Sequence, residues 1–313
     1  MSKPLLFIKE SASFAPVWQA HAAEALPQYE AVTSLDGQDI DRVELALVWK
    51  PEPGHLASLP NLKLVVSVGA GVDHIVLSDP DYPRHIPLVR MVDPGLTQGM
   101  CDYALWACLS VLRESQRHAR LQRAQDWQLR PLETAPQRRV LVLGLGQIGG
   151  PVAQRLQSHG FVVAGWSRSA KAMAGIEVFS GAEALPEALG WANMVVNLLP
   201  ATQQTRELIN TTTLAHFRPG AAFINAGRGT TVDEAALLAA LESGQIGQAY
   251  LDVFQQEPLP SDHPLWQHPH VTITPHNAAI THPSSGIRVV ARAVEEMTAG
   301  APLSNQVDWA QGY

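Results

Sequence analysis

The stretch RRVLVLGLGQIGG, residues 138–150, joins an apolar run to a cluster of glycines and precedes a helical pattern. Gly144, Gly146 and Gly149 have the spacing G-x-G-x-x-G. In a strand–turn–helix unit, the first of these glycines permits the tight turn, the second lets the backbone approach a pyrophosphate, and the third permits close packing of the helix. The helix N-terminus then offers N–H groups to the phosphates. The stretch predicts a dinucleotide-binding turn; a glycine turn without a ligand is the alternative.

The next predicted strand ends in GWSRSAK, residues 165–171. A carboxylate at this place would hold the ribose 2′-hydroxyl of NAD, and the sequence has none here. Instead, Arg168 stands between Ser167 and Ser169, and Lys171 adds a second cation. Because a guanidinium presents a rigid fork of donors, it suits a 2′-phosphate. The segment therefore favours NADP(H) over NAD(H), with a solvated basic loop as the alternative.

Composition limits the class of protein to which the chain can belong. A length of 313 residues predicts about two domains. Hydrophobic residues make up 46% and charged residues 16%, which excludes a disordered chain. The net charge of −7 argues against nucleic acid and anionic membranes, and we expect neither as a partner. The start MSKPLLFIKE is unlike a signal peptide, and no apolar run reaches about 18 residues, so we expect a cytoplasmic protein.

Strands and helical segments alternate in two series along the chain. The strands of the first series are predicted at residues 5–9, 29–34, 44–49, 62–69 and 86–92. Those of the second series are predicted at residues 138–144, 161–166, 194–199, 221–226, 248–254 and 271–275. One long helix over about 97–128 joins the series, and a last helix spans about 283–297. This alternation predicts βαβ units and an α/β fold with parallel sheets.

Three polar side chains each follow a predicted strand of the second series. Arg228 lies in NAGRG, Glu257 in LDVFQQEP and His276 in ITPHNAA. In a parallel sheet such positions lie beyond the carboxyl ends of the strands, where ligands bind. Arginine can clamp the carboxylate of a 2-keto acid, histidine can donate a proton to its carbonyl oxygen, and Glu257 can orient the imidazole. Taken singly, Arg228 could instead pair with a helix end, and Glu257 could be an ordinary loop acid.

Four histidines raise the alternative of a metal site. They are His263, His268, His270 and His276. Their proline-rich spacing does not place two of them on one helix face, and no carboxylate or thiolate completes a ligand set. We therefore expect no metal.

Taken together and in their order along the chain, these motifs resemble those of the D-isomer-specific 2-hydroxyacid dehydrogenase family, and the resemblance covers nearly the whole chain. The segments that carry the resemblance are GLGQIG (144–149), LLPATQQTRELIN (198–210), NAGRGTTVDEAAL (225–237), DVFQQEPLP (252–260) and PHNAAIT (275–281). The resemblance implies that Arg228, Glu257 and His276 are the catalytic residues. It also implies cofactor contacts by the glycine loop with Gln147 and Ile148, and by Leu199, Pro200, Thr205, Ala226, Asp252 and Ala278.

Within that family the chain is similar to bacterial NADPH-dependent glyoxylate/hydroxypyruvate reductases. The shared features are ALVWKP (46–51), GAGVDHI (69–75), GWSRS (165–169), HPLWQHP (263–269) and the ending QVDWAQGY (306–313). The similarity implies reduction of glyoxylate to glycolate and of hydroxypyruvate to D-glycerate, and a homodimer. It implies that Ala70 and Gly71 offer N–H groups to the substrate carboxylate. It also implies that Trp49 lines the substrate pocket, although core packing explains Trp49 equally well.

The resemblance further implies two Rossmann-like, doubly wound parallel-sheet domains with an active-site cleft between them. Residues 1–99 and 284–313 would form the substrate-binding (catalytic) domain, and residues 100–283 the inserted dinucleotide-binding domain. Two alternatives stay open. Because the side chains around Met91, Asp93 and Met100 differ between subfamilies, a bulkier 2-keto acid such as phenylpyruvate is one substrate to consider. The other is a non-enzymatic, dinucleotide-sensing protein like a co-repressor, which the complete set of Arg, Glu and His disfavours.

Overall fold

The computed structural model describes residues 2–37, 39–79 and 81–310, so the last three residues of the ending QVDWAQGY lie outside the described residues. The chain divides into two compact units. The first unit contains Met1–Leu96 and Ile280–Tyr313, and the second contains Thr97–Ala279. Each unit is built on one sheet whose described strand pairs are all parallel, so the prediction of two parallel-sheet α/β domains is confirmed.

The first unit has a five-stranded sheet in the order β2-β1-β3-β4-β5. Its strands are β1 (Leu5–Lys9), β2 (Glu30–Val32), β3 (Val43–Val48), β4 (Leu64–Ser67) and β5 (Leu88–Val89). Helix α1 (Ala15–Ala25) follows β1, and the short helix α2 (Asp73–Val76) follows β4. The prediction for β5 is too long: beyond Val89, the Arg90 N–H donates to the carbonyl of Asn305, in the C-terminal tail.

The helix predicted over 97–128 is wrong as a single element. Helix α3 (Pro94–Leu112) ends before Glu114, which has a left-handed φ of +53°, and α4 (Ser115–Arg123) begins after it. The carboxylate of Glu114 pairs with Arg130 and lies 3.6 Å from Arg117. The apolar stripe of α3 stops at Leu112, so nothing in the packing requires the helix to continue past that point.

The second unit has a seven-stranded sheet in the order β12-β11-β10-β9-β6-β7-β8. Its strands are β6 (Arg139–Leu143), β7 (Val162–Ser167), β8 (Glu177–Ser180), β9 (Met194–Asn197), β10 (Ala221–Asn225), β11 (Ile246–Leu251) and β12 (Val271–Ile273). Helices α5 (Gly149–Ser158), α6 (Leu185–Trp191), α7 (Thr211–Leu214) and α8 (Glu234–Glu242) lie between them. The strand order reverses between β6 and β9, which is the kind of position where ligands bind in open α/β sheets.

Helix α9 (Pro283–Thr298) returns the chain to the first unit. Its apolar face, which includes Ile287 and Val290, joins the core formed by residues such as Leu6 and Leu45. Gly286 lets α9 approach α1, because a Cβ at this position would lie 2.5 Å from the buried ring of Trp18. The C-terminal segment is therefore part of the first unit's core. Within the described ranges, no helix is both long and apolar enough to cross a membrane.

Candidate active site

The glycine turn after β6 is closely packed on one side and open on the other. Gly144 has a φ of +94°, and a Cβ at Gly149 would lie 1.7 Å from the Gly144 carbonyl oxygen, so neither position accepts a side chain. A Cβ at Gly146, in contrast, would meet nothing within 4 Å. Gln147 and Ile148 complete the turn into α5. The turn therefore has both the tight packing and the open backbone that a bound pyrophosphate requires.

The loop after β7 carries the predicted 2′-phosphate contacts next to this turn. Ser167 is buried and its hydroxyl donates to the carbonyl of Ser169 at 2.7 Å. The Lys171 ammonium donates to the carbonyl of Leu145 at 2.9 Å, so the loop is tied to the glycine turn. Arg168 is exposed, and its guanidinium contacts the side chain of Gln204. Gln204 was not predicted from the sequence as a neighbour of this site. The donors present fit a phosphate better than a ribose hydroxyl.

The segment after β9 supplies further residues that the sequence predicts as cofactor contacts. Leu199 touches the glycine turn, since a Cβ on Gly144 would lie 3.3 Å from its Cδ2. The Thr205 hydroxyl donates to the carbonyl of Pro200 at 2.6 Å and holds this loop in shape. Ala226 comes directly after β10 and its N–H donates to a carbonyl of β9 at 3.2 Å. These residues follow β9 and β10; β9 pairs with β6, the strand that leads into the glycine turn, and β10 pairs with β9.

Glu257 and His276 form a hydrogen-bonded pair. Oε2 of Glu257 lies 2.7 Å from Nδ1 of His276. The other carboxylate oxygen of Glu257 accepts the N–H of Phe254 at 3.1 Å, which fixes the rotation of the carboxylate. Since a carboxylate accepts and does not donate, this contact favours the imidazole form that carries a hydrogen on Nδ1.

The loop that carries His276 is held by a buried carboxylate. Asp252, 2% exposed, accepts the hydroxyl of Thr274 at 2.6 Å and the N–H groups of Asn277 and Ala278 at 2.9 to 3.1 Å. Its own carbonyl accepts the N–H of His276 at 2.8 Å. His276 has a φ of +50°, a left-handed conformation that is costly for a residue with a side chain. The bonds to Asp252 hold His276 in this conformation and so direct its ring.

Arg228 lies between two glycines that pack against neighbouring loops. A Cβ at Gly229 would lie 1.9 Å from the carbonyl carbon of Phe254, and one at Gly227 would lie 2.8 Å from the Leu199 carbonyl oxygen. The guanidinium donates to the Gly227 carbonyl at 2.9 Å. These close contacts fix the backbone on both sides of Arg228.

The sheet order brings the three predicted catalytic residues to one edge. Arg228, Glu257 and His276 follow β10, β11 and β12, which are neighbours in the sheet. Neighbouring strands lie about 4.8 Å apart, so the three residues occupy successive places along the carboxyl edge. The loop after β9 occupies the next place, and the glycine turn and the Arg168 loop follow it, after β6 and β7. The residues predicted as proton donor and carboxylate clamp and the predicted dinucleotide turn thus lie along a single edge of the second unit's sheet.

The first unit holds the residues predicted to bind substrate. Trp49 follows β3, and its indole packs against the ring of His74, with 4.1 Å between ring centroids and 43° between ring planes. A Cβ at Gly69 would lie 2.8 Å from the indole, so Trp49 rests against this backbone. The turn that contains Ala70 is closed by the hydroxyl of Ser67, which donates to the carbonyl of Gly71 at 3.1 Å. Sequence reasoning missed His74.

The histidines considered as metal ligands do not converge. Nδ1 of His263 accepts the N–H of Leu265 at 3.3 Å, and Nδ1 of His268 accepts the N–H of His270 at 3.2 Å. Among the residues that the structure describes, no group of three or more His, Cys, Asp or Glu side chains is placed to hold a metal ion.

Comparison with known proteins decides the family. Residues 105–278 match the family model described as "D-isomer specific 2-hydroxyacid dehydrogenase, NAD binding domain". The chain belongs to the D-isomer-specific 2-hydroxyacid dehydrogenase family. A full-length relative in this family is the glyoxylate/hydroxypyruvate reductase A of Serratia proteamaculans (strain 568), 41% identical over 302 residues, which are 95% of this chain and 96% of that protein. The family predicted from the motifs is confirmed.

Solved structures of this dehydrogenase family have the same fold. One is the D-isomer specific 2-hydroxyacid dehydrogenase of Xanthobacter autotrophicus Py2 in complex with NADPH and MES, 42% identical, with a TM-score of 0.94 and full coverage of both chains. Another is the NADPH-dependent glyoxylate/hydroxypyruvate reductase of Sinorhizobium meliloti in complex with NADP and sulfate, 34% identical, with a TM-score of 0.92 and full coverage of both chains.

The Asp252 carboxylate yields a prediction about stability. We expect Asp252→Asn to lower the free energy of unfolding by roughly 1.5–3 kcal/mol, because an amide nitrogen replaces an oxygen that accepts a hydrogen bond. Urea denaturation measures the change. Asp262→Asn, at an exposed position, removes the same charge and serves as the control. An equal fall in the free energy of unfolding of both variants would show that the lost charge, and not the hydrogen bonds of Asp252, is responsible.

Proposed function

We propose that this dehydrogenase is an NADPH-dependent 2-keto acid reductase that converts glyoxylate to glycolate and hydroxypyruvate to D-glycerate. The observation that carries the proposal is the 2.7 Å contact between His276 and Glu257 on the sheet edge that also bears Arg228. The full-length similarity to proteins with the name glyoxylate/hydroxypyruvate reductase supports the choice of substrates.

The residues of the second unit fit an NADP(H) cofactor. The open backbone at Gly146 and the N-terminus of α5 suit the pyrophosphate, and Arg168 with Ser167, Ser169 and Lys171 suits the 2′-phosphate. Leu199, Pro200, Thr205, Ala226, Asp252 and Ala278 are the further contacts that we propose. When bound, NADPH supplies the hydride that reduces the substrate carbonyl. The relatives from Xanthobacter and Sinorhizobium, whose structures contain NADPH or NADP, support this preference over NAD(H).

The chain's own residues bind the acid and supply the proton. The guanidinium of Arg228 binds the substrate carboxylate through paired, charge-assisted hydrogen bonds. His276 gives its Nε2 proton to the carbonyl oxygen as that oxygen gains negative charge. Glu257 accepts the Nδ1 hydrogen, which fixes the orientation of the ring and leaves Nε2 for proton transfer. The guanidinium therefore binds the carboxylate, the imidazole donates the proton, and the Glu257 carboxylate orients the imidazole.

The substrate-side residues of the first unit favour a small acid. We propose that the N–H groups of Ala70 and Gly71 bind the carboxylate and that Trp49 borders the substrate. Packing of the indole between Gly69 and His74 holds this large side chain in place. A reductase of phenylpyruvate would need room for a second aromatic ring. The relatives described above are named as 2-hydroxyacid dehydrogenases or as reductases of small keto acids. These names also disfavour a non-enzymatic, co-repressor-like role for this chain.

We further propose the domain roles and the assembly. Residues 1–99 and 284–313 form the substrate-binding domain, and residues 100–283 form the dinucleotide-binding domain of a cytoplasmic homodimer. Trp127 and Leu129 are 97% and 94% exposed in the single chain, and large apolar side chains of this kind are ones that an interface would cover. Light scattering should give about twice the chain mass of 33.9 kDa. A monomeric mass would remove this part of the proposal.

The role of His276 can be tested by its removal. We expect His276→Ala to lower kcat for glyoxylate reduction by about 10²–10⁴-fold, because the carbonyl oxygen loses its proton donor. The nicotinamide absorbance measures turnover, and NADPH fluorescence measures cofactor binding, which should change little. His216→Ala, at an exposed histidine, is the matched control. Unchanged turnover in the His276 variant would contradict the mechanism.

The cofactor preference can be tested at Arg168. We expect Arg168→Asp to lower the ratio of kcat/KM with NADPH to that with NADH by about tenfold or more, because a carboxylate repels the 2′-phosphate and accepts the 2′-hydroxyl of NADH. Arg218→Asp makes the same charge change at another exposed site of the second unit and should leave the ratio as it is. Equal kcat/KM values of the wild-type protein with NADH and with NADPH would refute the assignment of Arg168 to the 2′-phosphate.

A further inference from the structure

A buried polar network joins the ends of β9 and β10. Asn197 and Asn225 end these strands and are paired in register. Thr231 lies in the short turn that follows Arg228. All three side chains belong to residues that are at most 1% exposed. Because burying a polar group is costly unless it is hydrogen-bonded, the bonds of these residues are what keeps them in the interior.

The donor and acceptor atoms give each bond in the network its direction. The amide nitrogen of Asn197 donates to Oδ1 of Asn225 at 3.0 Å and to the hydroxyl of Thr231 at 2.8 Å. An amide nitrogen has two hydrogens and both are now used. The Thr231 hydroxyl gives its single hydrogen to the Arg228 carbonyl at 2.6 Å. Nδ2 of Asn225 donates to the same carbonyl at 3.3 Å.

The network converges on the backbone of Arg228. Its carbonyl accepts the Thr231 hydroxyl, the Asn225 amide and also the N–H of Thr231 at 3.3 Å. Three donors on one oxygen fix the peptide plane that follows Arg228. The residue is held in an extended conformation, with φ −142° and ψ 142°. This backbone conformation sets the direction of the Cα–Cβ bond of Arg228, and with it the direction in which the side chain leaves the backbone.

We infer that Asn197, Asn225 and Thr231 are positioning residues, which place the guanidinium of Arg228 on the substrate carboxylate. The inference rests on the proposed function, in which Arg228 binds that carboxylate. In this inference none of the three needs to contact the substrate. Their effect passes through the Arg228 carbonyl, and displacement of a binding group by about 1 Å can cost about 10²-fold in rate.

Thr231 is the member of the network best suited to a test. Asn197 also accepts the N–H of Leu199 at 3.3 Å, and Asn225 accepts the N–H of Gly227 at 3.2 Å, so changing either one disturbs other loops. The Thr231 hydroxyl bonds only to Asn197 and Arg228 among the side-chain hydrogen bonds of the described residues. Valine keeps the shape of threonine and removes the hydroxyl, whereas serine keeps the hydroxyl.

The experiment compares Thr231→Val with Thr231→Ser. We expect Val to lower kcat/KM for glyoxylate by about tenfold or more, chiefly through a higher KM, and Ser to keep near-wild-type values. The Kd for NADPH, measured by fluorescence, should stay within about twofold for both. Thr213→Val is the control, since its hydroxyl likewise donates to a backbone carbonyl of the same unit, that of Leu208 at 2.7 Å, and has no hydrogen bond to Arg228 among the described residues. An equal loss of kcat/KM in that control would reduce Thr231 to a general structural role and overturn the inference.

A double-mutant cycle with Arg228→Lys separates positioning from other effects. If Thr231 acts through Arg228, the loss caused by Thr231→Val shrinks severalfold in the Arg228→Lys background; equal losses in both backgrounds overturn the inference. If the Val variant does not fold, Thr231→Ala takes its place in the same cycle. A wild-type protein without turnover of any small 2-keto acid refutes the proposed function. An active wild type with an unaffected Thr231→Val variant refutes this inference alone.

Discussion

The second unit depends on one constraint, the parallel pairing of its strands in the order β12, β11, β10, β9, β6 and β7. Parallel strands all point the same way, so every loop that leaves a carboxyl end is delivered to one edge of the sheet. Residues as distant in sequence as Gly144 and His276 therefore belong to a single row of loops. Without this pairing, the chemistry of the individual side chains would have no common location.

Sheet pairing places the loops, and buried hydrogen bonds then fix their conformation. Asp252 accepts the hydrogen bonds of the His276 loop, whereas Asn197 donates to Asn225 and Asn225 donates to the Arg228 carbonyl. In both cases the polar group is in the interior, where a hydrogen bond is electrostatically stronger than in water and an unpaired group is costly. The loops of His276 and Arg228, the proposed proton donor and carboxylate clamp, are thus both held by buried polar groups.

Some of this architecture follows from local sequence and some does not. The glycine spacing and the order of Arg228, Glu257 and His276 could be predicted, because each depends on a few adjacent residues after an apolar strand. The break at Glu114 could not, since the left-handed turn is accompanied by ion pairs with distant residues. Strand β8 was missed because it is a short edge strand without a buried apolar run. Two asparagines that each end an apolar strand were a visible signal, but their partnership needs the register of β9 and β10.

The exposed position of Arg168 has a consequence for how the protein can change over evolution. The guanidinium contacts only the side chain of Gln204 among the hydrogen bonds of the described residues, and neither belongs to a hydrophobic core. Surface substitutions of this kind usually alter stability by no more than about 0.5 kcal/mol. With the proposed role of Arg168, the choice of coenzyme depends on a position that contributes little to folding, whereas the proposed proton donor His276 depends on the buried Asp252. If Arg168 has the role that we propose, a lineage that carries this fold can exchange one nicotinamide pool for another without rebuilding its catalytic loops.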